Sequence, residues 1–334
     1  MGEQFFNRNL CRLKDIYNTL LLSAAYLLLS YFLVGFKTDQ LLLVFIFNSL
    51  FYLSNGTRRF IIGFSIFIVY WILFDYMKAF PNYLYSRVHI EDLYDAEKSI
   101  FGINLHGLVV TPNEFWRVNH NSFLDVLTGI FYLMWVPVPL ALAVYFFFKN
   151  KREFVLFSLL FVWVNLIGFM IYYLYPAAPP WYVEAYGFKF IAHTPGNTAG
   201  LARFDAYFNI TLFKGIYSKG SNVFAAMPSL HSAYPVVVLY FGLKNKLRLI
   251  NVFFFTVMFG IWFSAIYSSH HYALDVLAGI GCAGIGIFTF NIVFRKTRLG
   301  NMIKFFESRI TQSAVQSLPN QNRPTLTHLD PGVR

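Results

Sequence analysis

Eight apolar blocks separated by short polar punctuation restrict this chain more than any other feature. They run over about 16–36, 40–54, 60–80, 122–148, 154–175, 229–243, 249–269 and 272–294. A helix needs roughly 20 apolar residues to cross a hydrocarbon layer, and only a helix or a closed barrel satisfies its own backbone there. The blocks at 40–54 and 229–243 are short, so their edges are the least fixed. Pro137 and Pro139 remove backbone donors inside the fourth block and should kink it. Only 13% of the residues are charged, against about a quarter in a soluble domain. The chain reads as an all-α, polytopic membrane helix bundle of about eight spans.

The net charge of +11 would suit nucleic acid, but the cations do not cluster as a nucleic-acid surface requires. They punctuate alternate gaps: Arg8, Arg12 and Lys14; Arg58 and Arg59; Lys149, Lys151 and Arg152; Lys244, Lys246 and Arg248; Arg295, Lys296 and Arg298. That pattern is the positive-inside rule, and it puts both termini in the cytoplasm. Nucleic acid is set aside as a partner; nothing in the sequence identifies a protein partner. Two long connections, 81–121 and 176–228, then face the periplasm or lumen. The mixed-charge run Glu91 to Lys98 predicts an interfacial helix in the first. The second leads straight into His231, which favours function over idle length. Cys11 precedes the first span and Cys282 lies in the last, so neither a disulfide nor a metal site is expected from them. The first span lacks a cleavage site and reads as an anchor, and Phe6 stands where myristoylation needs Ser or Thr.

His271 and Asp275 stand four apart at the outer start of the final span, so their side chains share a helical face. A carboxylate there can accept the imidazole N–H, fix its tautomer and leave the other nitrogen free as a nucleophile. His231 follows Pro228 at the outer start of the sixth span, so topology delivers all three groups to one side of the bilayer. A single interfacial histidine is more often an ordinary satisfied polar residue, and a carboxylate at a helix start can be merely a cap. The joint occurrence points to a site. No metal-ligand cluster appears and no cofactor is called for.

The runs Met227-Pro228-Ser229-Leu230-His231-Ser232 and Tyr267-Ser268-Ser269-His270-His271-Tyr272-Ala273-Leu274-Asp275 resemble the two histidine motifs of the type 2 phosphatidic acid phosphatase superfamily. Within it they are most similar to the inositol phosphorylceramide synthase branch, whose proline-aromatic segment is similar to Pro179-Pro180-Trp181-Tyr182. The resemblance covers roughly 60–294, a six-span catalytic core. It leaves two N-terminal spans in 1–59 and a cytoplasmic tail in 295–334, which is expected to be disordered. By that resemblance His271 attacks a lipid phosphate to form a phosphohistidine, Asp275 orients it, and His231 protonates the departing alkoxide and later activates the acceptor.

Two departures bear on the phosphate. Hydrolytic members carry a Lys…Arg-Pro motif and a Ser–Arg pair; here Pro176–Trp181 lacks both cations and the pair reads Ser264-Ala265. A phosphoryl group in transfer still needs cationic or N–H partners. The candidates are Lys219, Arg203, Arg117, His270 and the N–H groups at the start of the sixth span, although each alone is more often an ordinary loop charge; Ser229 is a further candidate substrate contact. A second polar cluster at the same face, 116–121, offers Asn119 and His120 as contacts to a polyol head group. Asp125 is expected to cap the helix that follows. Asp75, near the outer end of the third span, is a further acidic group within a membrane segment. Trp135, Trp163, Trp181, Tyr172 and Tyr173 read as an interface belt and core packing.

The expected function is a lipid phosphotransferase: a glycerophospholipid donates an inositol-phosphate-type head group to a ceramide-like or other lipid hydroxyl. The alternative is a lipid phosphate phosphatase, with water as acceptor. A transporter or scaffold that kept the fold without catalysis is the third reading, and the intact triad argues against it.

Overall fold

The computed structural model describes residues 11–311 apart from 219 and 221, and the side chains of residues 295 and 296 are not described. Three helices come first: α1 (Leu13–Val34), α2 (Thr38–Leu53) and α3 (Asn55–Tyr76). The connection after α3 carries α4 (Glu91–Phe101), a small antiparallel hairpin of β1 (Ile103–Leu105) and β2 (Leu108–Val110), and α5 (Pro112–Val118). The hairpin turns on His106 and Gly107, both at positive φ, as a two-residue loop of matching twist requires. Next come α6 (Ser122–Leu133), α7 (Pro137–Lys149) and α8 (Lys151–Leu174). The second long connection holds α9 (Pro180–Tyr186), α10 (Ala202–Phe208) and α11 (Leu212–Tyr217). Then α12 (Leu230–Lys244), α13 (Leu249–Tyr267), α14 (Ala273–Lys296) and α15 (Gly300–Thr311) complete the described chain.

Helix starts follow local chemistry. Ser54 accepts the Thr57 N–H at the start of α3, Thr111 accepts from Glu114 before α5, and Asn150 accepts from Glu153 before α8. Each satisfies a donor that the first turn leaves over. The proline pair acts as anticipated: the fourth block breaks between Leu133 and Pro137 into α6 and α7.

Six segments are long and apolar enough to cross a membrane: Leu13–Val34, Asn55–Ala79, Ser122–Lys149, Lys151–Leu174, Leu249–Tyr267 and Ala273–Phe294. Two shorter helices, α2 and the 15-residue α12, match the two short blocks of the sequence. This is a multi-pass membrane protein. The inner helix is α8, with Phe154, Val155, Phe157 and Val164 fully buried against α12, α14 and α3. On α1, by contrast, Leu20, Leu21, Leu22 and Phe32 lie bare, as suits a lipid-facing helix.

One expectation changes. Composition predicts loss of order from residue 295, yet α15 forms and buries Ile310 completely. Ile303, Phe306 and Ile310 share one helical face and join the core beside α3 and α8. The polar, Pro-bearing stretch after Thr311 lies outside the described residues. Asp75 is paired with Lys78 at 2.7 Å. Cys11 and Cys282 are both free.

Candidate active site

The N-termini of α12 and α14 meet at one end of the bundle, and His231 and His271 meet with them. His231 is the second residue of α12, while His271 lies two residues before α14. Nδ1 of His231 stands 3.4 Å from Nε2 of His271. Nδ1 of His271 in turn lies 3.5 Å from Oδ2 of Asp275, just longer than a formed hydrogen bond. Catalytic hydrogen bonds are often this long before substrate binds. Asp275 is fully buried, and His271 is 6% exposed. Burial pushes the His271 imidazole down to about 4 and that of His270 to about 3. Both rings are therefore neutral at pH 7, the form in which a ring nitrogen can attack.

Close backbone approach fixes this geometry. The Ser229 N–H donates to the Asp275 carbonyl at 2.9 Å, which ties the two helix starts together. A Cβ on Gly279 would clash with the Ser229 carbonyl, so α14 needs glycine there to lie this near α12. Trp262 on α13 donates its indole N–H to the Ser232 carbonyl at 3.0 Å and braces the other side.

The His271 turn is held from several directions. The N–H groups of His270 and His271 both reach the Ala265 carbonyl, at 3.1 and 3.0 Å. Asn113, fully buried on α5, donates to the Ile266 and His271 carbonyls at 2.8 and 2.9 Å. Oδ2 of Asp275 accepts the Tyr272 N–H at 2.8 Å. Glu97, with no exposed surface, reaches in from α4 and accepts the N–H groups of Ala273 and Leu274 at 2.9 and 3.0 Å. Burial raises the Glu97 carboxyl above its ordinary range, and those two N–H groups pull it back. Ser269 donates to Glu184 at 2.7 Å and its carbonyl accepts the Trp181 N–H at 3.0 Å. The proline-aromatic segment is thus sewn to the second histidine motif.

The other anticipated residues divide. His270 is held apart from the His231–His271 pair by other partners: its Nε2 donates to the Thr198 carbonyl at 3.0 Å, and its ring stacks on Tyr217 and Tyr132. Ser229 is buried, with its hydroxyl accepting from Ser232. Arg203 on α10 donates through Nε to Asp125 at 2.6 Å, while its Nη2 is buried with no hydrogen-bond partner among the described residues. Its guanidinium stands beside Gly200, whose N–H donates to the Ser268 carbonyl. Arg117 is about half exposed and 3.9 Å from Glu184. The Asn119 amide donates to the Phe115 carbonyl of its own helix, and exposed His120 lies 3.5 Å from Asp125. Neither touches the histidine pair among the described contacts. Lys219 lies outside the described residues.

Asp125 does not cap α6. Asn121 does, accepting the Leu124 N–H at 3.0 Å, and buried Asp125 instead receives Arg203 and the Tyr267 hydroxyl. With Asn121 serving as the cap, the Asp125 carboxylate is free to hold a cation. The aromatic belt also has another role here. The Tyr132 hydroxyl lies 3.2 Å from Nδ1 of His231, and the Trp135 ring is 4.6 Å from the His231 ring. Tyr132, Trp135, Glu97, Asn113 and Glu184 carry no sequence signal of a site, because each sits in an ordinary local context.

The PAP2 superfamily matches this chain over residues 103–289. A phosphoinositol dihydroceramide synthase of Bacteroides thetaiotaomicron is 44% identical over 85% of this chain and 94% of its own length. Inositol phosphorylceramide synthase catalytic subunits of Saccharomyces cerevisiae and Schizosaccharomyces pombe are 30% and 28% identical over 70% and 68% of the chain. Of these two yeast relatives the chain spans 59% and 52% of the length. No solved structure matches it. With its two histidine motifs folded into one buried cluster, and a relative this similar over nearly its whole length, the chain belongs to the PAP2 superfamily.

Proposed function

We propose that this protein is a membrane phosphotransferase that moves an inositol-phosphate-type head group from a glycerophospholipid to a ceramide-like hydroxyl. The observation that carries the reading is the His231–His271 pair, 3.4 Å apart with Asp275 behind His271. With substrate bound, the Asp275 carboxylate accepts a hydrogen bond from the His271 Nδ1–H and leaves Nε2 as the nucleophile. Nε2 attacks phosphorus, the P–O bond to the diacylglycerol breaks, and His231, which takes up a proton once the anionic phosphodiester lies beside it, gives that proton to the departing oxygen. The head group is then held on His271 through a P–N bond. His231, now neutral, takes the proton of the acceptor hydroxyl; its oxygen attacks phosphorus and the P–N bond breaks. One acid–base group that alternates and one oriented nucleophile complete the cycle. Arg203, through an Nη2 with no partner among the described residues, is the proposed contact to the phosphoryl oxygens. The charge bias of the sequence supports a site at the periplasmic or lumenal face, with both termini cytoplasmic.

The test uses purified protein and phosphatidylinositol labelled in its head group, with and without ceramide. Label moving to ceramide supports transfer, whereas free inositol phosphate or inorganic phosphate in the presence of ceramide supports a hydrolase and overturns this reading. His271→Ala, His231→Ala and Asp275→Asn should each abolish turnover in protein that still expresses.

A further inference from the structure

At the end of the bundle opposite the histidines, a cavity of about 470 Å³ opens between the start of α3, the α7–α8 corner and α15. Its polar lining is Ser54, Thr57, Arg59 and Lys151, and its apolar lining is Phe60, Phe147, Phe148 and Ile310. Arg58 is matched by Asp15 at 3.1 Å, and Lys244 by Glu153 at 2.8 Å. Arg59 and Lys151 have no carboxylate within salt-bridge distance among the described residues, yet both line this one cavity, where Arg59 Nε donates to the Asn55 carbonyl. The Lys151 ammonium instead rests on the Phe147 ring, 3.1 Å from its centroid. Two like charges facing one cavity raise the energy of the empty site, and an anion between them removes that cost.

The apolar half of the lining says which anion. Phe148 is 72% exposed beside this cavity, at the end of a membrane-spanning segment. A bound anion there would continue into hydrocarbon. We propose that this cavity binds the phosphate of a membrane glycerophospholipid from the leaflet opposite the active site, with the phosphate between Arg59 and Lys151 and an acyl chain along Phe60 and Phe148. The cationic bias of this end makes that leaflet the cytoplasmic one, rich in anionic lipid. Because Ile310 closes one wall, the lipid would also pin α15 to the bundle.

The experiment measures the thermal midpoint of the full chain in a mild detergent. Three additions are compared: phosphatidylglycerol, phosphatidylcholine, and inorganic phosphate at the same concentration. Phosphatidylglycerol should raise the midpoint by more than about 3 °C, with little effect of free phosphate. The double variant Arg59→Gln/Lys151→Gln should lose most of that rise. Lys151→Arg, and Lys244→Gln as a control at the same end, should keep it. An equal rise in wild type and double variant would overturn the proposal, as would an equal rise with inorganic phosphate alone. If the double variant does not fold, native mass spectrometry of each single variant decides instead: reduced retention of phosphatidylglycerol supports the site, and unchanged retention refutes it.

Discussion

Replacing Glu97 should damage catalysis from a distance, because its carboxylate holds the first turn of the helix that carries Asp275. Both oxygens accept N–H donors, from Ala273 and Leu274, an arrangement that favours the ionised form against the burial that opposes it. Hydrogen bonds to a charged group contribute about 1.5–3 kcal/mol each, and a negative charge at a helix N-terminus adds roughly 0.3–1 kcal/mol. Glu97→Gln keeps one acceptor and turns an N–H donor toward the other, so it should cost about 2–3 kcal/mol. Glu97→Ala strands two buried donors at about 1–3 kcal/mol each. Part of that loss will appear as movement of the turn, and a displacement of about 1 Å at a reacting group can cost a hundredfold in rate. Steady-state assay of head-group transfer should therefore show kcat down about 10- to 100-fold in Glu97→Gln, with KM within about threefold of wild type. The thermal midpoint should fall in parallel. Wild-type kcat in a folded Glu97→Gln protein would refute the reasoning, and so would a loss confined to KM.

Gly279→Ala should push α14 off the Ser229 carbonyl, costing about 1–3 kcal/mol of stability by overpacking and separating His231 from His271. Transfer activity and the thermal midpoint check it, and a variant equal to wild type in both would count against close approach as the cause. A pH effect is expected from His270, whose folded pKa is about 3 against 6.5 unfolded. The unfolded chain binds the extra proton, so stability is full above pH 6.5 and declines as pH falls, by about 1.4 kcal/mol at pH 5.5 from this residue. Comparing thermal midpoints at pH 7.5 and 5.5, His270→Asn should show a smaller acid loss than wild type; an equal loss would mean that the ring is not held neutral by burial.

The membrane helices are legible in the sequence because a span must be both long and apolar, and few other structures demand that. Even the break at Pro137 and the shortness of α12 can be read directly. The convergence of His231, His271 and Asp275 is legible for a different reason: His271 and Asp275 sit four apart, and the block pattern sends His231 to the same side. What escapes is contact across long separations. Glu97 lies in the run Glu91 to Lys98, where a carboxylate looks solvated, and only the fold carries it to residues 273 and 274. Asn113 reaches His271 across a similar gap. Asp125 stands near a helix start and so reads as a cap, but Asn121 already occupies that role. The helix α15 is hidden because an amphipathic segment of 12 residues after the last span has the composition of a polar tail, although its spacing at 303, 306 and 310 is helical.

The missing phosphatase-type arginines leave a question of charge that the two converging helices address unequally. Each helix start carries roughly half a positive charge from its aligned peptides. At α14 that charge is answered, since Glu97 and Asp275 both lie against its first N–H groups. There the field serves the carboxylates that hold and orient His271. At α12 it is not: Ser229 makes no side-chain cap and the first turn contains no acidic residue. The positive end of α12 therefore remains available at His231, where leaving and entering oxygens would carry developing negative charge. Arg203, held by Asp125 with Nη2 unpartnered among the described residues, adds a cationic N–H donor at the same end of the bundle. In the proposed mechanism, a helix start without an acidic cap and one tethered guanidinium would together supply the stabilisation that the arginines supply in hydrolytic members.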